Sequence, residues 1–369
     1  MMRHSNGYRP KAANPWASVL LVLLFLSVSR AQEVAKLNLK VQEEITVAEE
    51  SGGVFFDPIR CDIKGNIYLR HYEPKNVFAA PIVRISSKGE RSAIFSVESV
   101  PTLKRSEVYD FATGPGREVY TLIGTPRGQK VEVAVAIFRD DGTFQSATEL
   151  KGDFSAAQLA VFPTGEFLVS GWRPIQTQDP KAVQELPKDK PAELPPVQPF
   201  TAIFDRNGNV VIEVSLSVEA NAAHPDDYAK LSSISGSAIS LGATVTGEDG
   251  NVYLMLAGDK PMLFAISAAG TVVSTRSLMP PSEKMGVLQM RAASGNRLVF
   301  EFAEKRPGGR YLTQSSVFSV TDAASGERLI DYQSSPEAGG AFACYASEGF
   351  TFLTTTKEGR LAIRRAVTR

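Results

Sequence analysis

One short unit recurs six times along this chain, and any fold proposed for it has to house six copies of the same turn. The unit is a polar turn carrying glycine followed by an alternating apolar run. Its copies are Asp62 to Leu69, Gly114 to Tyr120, Phe162 to Val169, Glu248 to Leu254, Ala293 to Val299 and Ala346 to Phe352. The turn glycines fall at 65, 116, 165, 250, 295 and 349, so the intervals are 51, 49, 85, 45 and 54 residues. A second unit of the same kind follows each of the first five: Ile82 to Gly89, Val135 to Gly142, Ala202 to Gly208, Leu263 to Gly270 and Val317 to Gly326. Polar turns ending in glycine between β-branched and aromatic runs are hairpin signals, because glycine supplies the positive φ of a tight turn.

Two consecutive hairpins make four antiparallel strands, and a four-stranded unit repeating about every 50 residues is the signature of a propeller blade. The pattern resembles the NHL-type and related six-bladed β-propellers over nearly all of residues 54–367. The expected fold is therefore all-β, a six-bladed propeller of four-stranded antiparallel blades. The sixth unit has only two strands after Gly349 before the chain ends, leaving one strand missing. Val34 to Val47, which precedes the first unit, is the candidate to fill that place and close the ring, removing an exposed sheet edge.

The first 31 residues have the three parts of an export signal. Arg3, Arg9 and Lys11 form a basic start, Ala17 to Val28 is an uncharged apolar run, and Ser29-Arg30-Ala31 offers small residues for cleavage. The run is shorter than the roughly 20 residues that cross a bilayer as a helix. The expectation is a signal peptide over residues 1–31, a single propeller domain over 32–369, and a periplasmic or extracellular address. Removing the leader takes away four basic residues and leaves 36 basic against 40 acidic ones, a balance that disfavours nucleic acid as a partner. An exported chain permits a disulfide between its two cysteines, Cys61 and Cys344; these sit shortly before the first and last turn glycines, on blades that neighbour one another in a closed ring. Two buried free thiols are the alternative.

Strand connections alternate between the two ends of a propeller, so the glycine turns share one face. The opposite face takes both long insertions, the proline-rich residues 173–199 and the segment 217–231. Candidate binding residues on that face are His71, Tyr72, Arg127, Trp172, Arg173, His224, Asp226, Asp227, Tyr228 and Arg306, with Arg70 also on the rim. This set leans basic and suits an acidic peptide or anionic glycan.

Enzymatic signals are thin. His71 and His224 are the histidines outside the leader, and no GxSxG, HExxH or phosphate-binding loop is present. The run Asp205-Arg206-Asn207-Gly208-Asn209 opens like a calcium loop, but Leu216 stands where the distal acid belongs. Propellers of the gluconolactonase type, a resemblance of fold only, hold a metal over the channel; Asp57 and Asp110, with Gln158, stand at the matching strand entries here. The preferred reading is a non-catalytic binding or scaffold propeller that recognises a protein or glycan through its loop face, with no cofactor. The alternative is a metal-assisted hydrolase or lactonase, with Ca2+ held by channel-mouth carboxylates.

Overall fold

The computed structural model describes residues 34–51, 55–62, 64–71, 78–128, 130–174, 197–216, 242–257, 260–306, 311–337, 340–346 and 349–368. The leader, and with it the cleavage site, lies outside the described residues, as do the segment 217–231 and most of the insertion 173–199. All the strands belong to the compact unit Lys36–Arg369. Among the described residues no helix is long and apolar enough to cross a membrane.

The first strand is β1 (Lys36–Ser51). Four separate four-stranded antiparallel sheets follow in chain order. The first is β2 (Phe55–Cys61), β3 (Ile67–His71), β4 (Ile82–Ile85) and β5 (Arg91–Phe95). The second is β6 (Glu107–Thr113), β7 (Val119–Arg127), β8 (Lys130–Phe138) and β9 (Phe144–Glu149). The third is β10 (Ser155–Val161), β11 (Phe167–Pro174), β12 (Val197–Phe204) and β13 (Val210–Glu213). The fourth is β14 (Ala243–Thr246), β15 (Val252–Leu256), β16 (Met262–Ile266) and β17 (Val272–Ser277). The remaining strands are β18 (Met285–Ala293), β19 (Arg297–Lys305), β20 (Tyr311–Asp322), β21 (Arg328–Gln333), β22 (Ala341–Ala346), β23 (Gly349–Thr355) and β24 (Arg360–Thr368). With β1 they form one eight-stranded sheet, in the order β18-β19-β20-β21-β1-β24-β23-β22.

The chain is thus a β-propeller built of four-stranded antiparallel blades. The strands β2, β6, β10, β14, β18 and β22 neighbour one another in that order, and β22 lies against β2. Apolar side chains fill the seams between sheets: Tyr68, Phe95, Phe111 and Phe138 between the first and second, and Leu159, Phe167, Val169 and Phe204 between the second and third. Each fully buried side chain of this size contributes about 1.5–3 kcal/mol.

β1 pairs antiparallel with β24, with Ile45 opposite Ile363 and Val41 opposite Ala366. Its first residues also pair with β21 in parallel, Lys36 opposite Asp331 through Asn38 opposite Gln333, a contact the repeats did not reveal. Cys61 on β2 and Cys344 on β22 are joined in a disulfide with Cα atoms 5.8 Å apart. Beside that bridge Val47, Ile59, Ile67, Leu361 and Ile363 pack into one cluster.

Glycine at the second hairpin turns is required by neighbours as well as by φ. At Gly142 (φ 88°) and Gly208 (φ 78°) a Cβ would overlap the carbonyl oxygens of Ile94 on β5 and Glu149 on β9, each on the preceding sheet. At the 116 repeat the sequence expectation fails in detail: Arg117, not Gly116, takes the positive φ, 67°. There Arg117 N donates to Gly114 O and Gly116 N donates to the Glu118 carboxylate, which holds the turn one residue later.

Candidate functional site

The first strand of each blade turns an edge toward the axis, and its N-terminal end lies on the face opposite the glycine turns. In β6, β10 and β18 the pairing with the next strand shifts between Val108 and Asp110, Ala156 and Gln158, and Val287 and Gln289. Such bulges re-aim a side chain. They bring Asp110, Gln158 and Gln289 to one cavity of about 200 Å³, together with Tyr109, Thr244, Arg60 and Arg291. A second cavity of about 100 Å³ lies nearer the glycine turns, bordered by Cys61, Thr113, Thr246 and Ala292. Arg60 and Arg291 border both.

Arg60 is the centre of this arrangement. From β2 its Nε donates to Phe111 O at 2.5 Å, its Nη1 to Thr244 O at 2.7 Å, and its Nη2 to the Asp110 carboxylate at 3.3 Å. One guanidinium therefore ties the first sheet to the second and the fourth. Asp110 also accepts from the backbone N–H of Leu159 (2.7 Å) and of Phe111 (2.8 Å). Burial pushes the Asp110 carboxyl above the usual carboxylate range, against the pull of the Arg60 charge and these two N–H groups. Arg291 donates to Met290 O (3.0 Å) and to Gln289 Oε1 (2.7 Å), and its guanidinium lies 5.9 Å from the Phe342 ring centre.

The residues expected at the site separate into groups. Asp110 lines the channel, where its oxygens accept from Arg60, Leu159 and Phe111, so the carboxylate anchors the second sheet to the first and the third. Asp57 is placed in β2 only by its backbone, its side chain being outside the described residues. His71 ends β3, again without a described side chain, while Tyr72, His224, Asp226, Asp227 and Tyr228 fall outside the described residues. Arg127 is exposed at the end of β7 and pairs with Glu132 at 3.1 Å. Trp172 and Arg173 lie together near the end of β11; Arg173 pairs with Glu213 at 2.8 Å and lies 5.5 Å from the Phe200 ring centre. Arg306 is exposed just past β19. Arg70, expected on the open rim, is 7 % exposed within β3, where it donates to Phe78 O. Strand β3 runs farther than the turn spacing suggested, and this takes Arg70 inside.

Asp205 opens the run that resembles a calcium loop and forms one corner of the β12–β13 turn. Its carboxylate accepts from Asn207 N (2.9 Å), Asn209 N (2.8 Å) and Asn209 Nδ2 (2.9 Å), which makes it the hub of a hairpin turn. Asp62 and Asp249 do the same work in their own turns, adding the hydroxyls of Tyr68 and Tyr253. Among the described residues no group of three or more His, Cys, Asp or Glu side chains is placed to hold a metal.

Sequence reasoning missed Arg60 and Arg291. A signal existed: each is a lone arginine in an apolar inner-strand run, five residues before Gly65 and four before Gly295.

No family model matches the chain, and no curated protein sequence matches it. Among solved structures it is similar to virginiamycin B lyase from Staphylococcus aureus, at 11 % identity and a TM-score of 0.45, over 90 % of this chain and 100 % of that one. A protein of unknown function from Dyadobacter fermentans gives 11 % identity and a TM-score of 0.49 over 90 % and 100 %. A protein of unknown function from Bacteroides caccae gives 10 % and 0.44 over 80 % and 94 %. The propeller assignment rests on the chain's own strand order, and none of these neighbours carries an argument about activity.

Proposed function

We propose that this is an exported, non-catalytic binding propeller that grips a protein or glycan partner with the loop face, and that its blades number six. The count follows if the eight-stranded sheet is two blades stitched by β1. Gly142, Gly208, Gly270 and Gly326 each press on the outermost strand of the preceding blade, and Gly89 of the first blade presses on Ile45 of β1 in the same way. β1 then holds the place of an outermost strand in a sixth blade. Kinship with NHL-type propellers remains part of this proposal.

The observation that carries the functional reading is the length of three hairpins on the loop face. The β11–β12 ladder continues from Phe167 opposite Phe204 out to Pro174 opposite Val197, and β7–β8 continues to Arg127 opposite Lys130. β19–β20 likewise reaches Lys305 opposite Tyr311, whereas β3–β4 and β15–β16 stop after four and five pairs. A partly exposed Trp172 beside Arg173 on such a stem has the composition of an interface anchor. Among the described residues, two channel cavities of about 100 and 200 Å³ are smaller than the roughly 300–1,000 Å³ typical of substrate pockets.

The test is retention of the purified chain on envelope protein extract and on a glycan array. Trp172→Ala should weaken the bound partner at least tenfold. Calcium-dependent turnover of a lactone or ester panel, lost in Asp110→Asn, would instead establish the hydrolase reading.

A further inference from the structure

The eight-stranded sheet ends in the order β21-β1-β24-β23-β22, so three strands stand between β21 and β22 along its hydrogen bonds. Side chains from those two strands nevertheless meet. Tyr332 on β21 and Tyr345 on β22 face each other with hydroxyl oxygens 3.4 Å apart and ring centres 6.0 Å apart. The sheet must fold back on itself for this contact to form. Phe318 of β20 fills the fold, its ring centre 5.0 Å from Phe342 and 5.2 Å from Phe350, and Phe350 lies 4.8 Å from each tyrosine ring. That apolar packing holds the two rings from below, while both tyrosines stay partly exposed. Among the described residues they are the one pair of tyrosine rings in contact. Tyr68 and Tyr253, by contrast, are fully buried and donate to Asp62 and Asp249.

We propose that Tyr332 and Tyr345 are an oxidative cross-linking site, at which a peroxidase-type one-electron oxidant couples the two rings into dityrosine. Each phenol gives up one electron and its hydroxyl proton, and the two phenoxyl radicals join by a carbon–carbon bond between positions ortho to the oxygens. The hydrogen on each joined carbon then moves through solvent to the oxygen, which restores both phenols. The pair loses two hydrogens in all, and one hydrogen peroxide is reduced to two waters. Because the ortho carbons flank the facing hydroxyls, the bond needs side-chain movement, and a radical formed on one ring has its partner already in place. Burial, and then the Tyr345 hydroxyl, push the Tyr332 phenol above its ordinary range, so it enters the reaction protonated at neutral pH. Cys344, next to Tyr345, is bonded to Cys61, so the new link would extend the covalent closure from β2 through β22 to β21.

The test treats the purified chain with a haem peroxidase and hydrogen peroxide at a low and a tenfold higher protein concentration. After reduction and alkylation of the cysteines, trypsin leaves both tyrosines on one peptide, because no Lys or Arg lies between them, and cleavage after Glu337 parts them. The expected product is lighter by two hydrogens, stays joined after the Glu337 cut, and forms in the same yield at both concentrations. Tyr332→Phe and Tyr345→Phe keep the ring packing, and each should lower the dityrosine fluorescence at the low concentration at least fivefold. A peptide that separates at Glu337, a yield that falls in proportion to protein concentration, or wild-type fluorescence in either variant would each overturn the site.

Discussion

Arg60 Nη1 donates to the backbone carbonyl of Thr244 at 2.7 Å, joining two sheets whose residues stand 184 positions apart in the chain. The same guanidinium holds Asp110 on a third sheet, so one side chain spans the channel between three sheets.

Breaking this pair should cost more than replacing it. The two side chains are 10 % and 5 % exposed, and a buried ion that loses its partner costs about 3–5 kcal/mol. Arg60→Met is expected to lose that much stability in urea denaturation. Arg60→Met combined with Asp110→Asn should recover most of it, because Asn leaves no orphan charge and still accepts a backbone N–H. Equal losses in the single and double variants would mean that packing, not charge, dominates.

The Cys61–Cys344 bridge closes a loop across 283 residues of sequence. Cross-links over long loops stabilise by about 2–5 kcal/mol, chiefly through the unfolded chain. Cys61→Ser with Cys344→Ser should lower the denaturation midpoint by that margin while leaving the circular dichroism spectrum intact. A midpoint independent of reductant in the wild-type chain would show that the thiols are not bridged in solution.

β1 supplies Leu39 and Val47, 2 % and 0 % exposed, to the packing around β24. Leu39→Ala should cost about 2–4 kcal/mol, and deletion of residues 36–48 should lower Tm sharply. An unchanged Tm after the deletion would remove β1 from any part in closing the sheet.

Turn carboxylates give the pH dependence its sign. Asp141, Asp205 and Asp322 are held below the usual carboxylate range by hydrogen bonds from their own turns, first from the Thr143 hydroxyl, the Asn209 side chain and the Ser325 backbone N–H respectively. A depressed folded pKa stabilises fully above the unfolded value, and the contribution is lost as pH falls through the folded one. Tm should therefore be flat on the alkaline side of the carboxylate range and drop below it. Asp205→Asn should flatten that acid limb, and an acid limb identical to wild type would contradict this origin.

How much of this was legible in the sequence differs by residue. Gly65, Gly165, Gly250 and Gly295 announced their turns because a positive φ selects glycine locally, and each takes one. Arg117 was invisible for the same reason, since its left-handed backbone is imposed by neighbours across the turn. Strand β1 could be placed against the last unit by counting strands, but its parallel pairing to β21 depends on where two edges meet in space. Arg60 and Arg291 were passed over because charge in a strand reads as a solvent face, whereas an inner propeller strand turns one edge to the axis. The positions of Arg127, Trp172 and Arg173 on paired strands depend on how far their hairpins extend, which loop composition does not encode.

One binding comparison separates the proposed recognition on the hairpins from the sheet-to-sheet contacts of Arg60 in the channel most directly. The same envelope extract and glycan array are probed with the wild-type chain, the folded Arg60→Met/Asp110→Asn variant and a variant lacking residues 175–196. The channel variant is expected to keep the wild-type partner and affinity while the hairpin deletion loses at least tenfold. Loss of the partner in the channel variant, with full retention in the deletion, would contradict it.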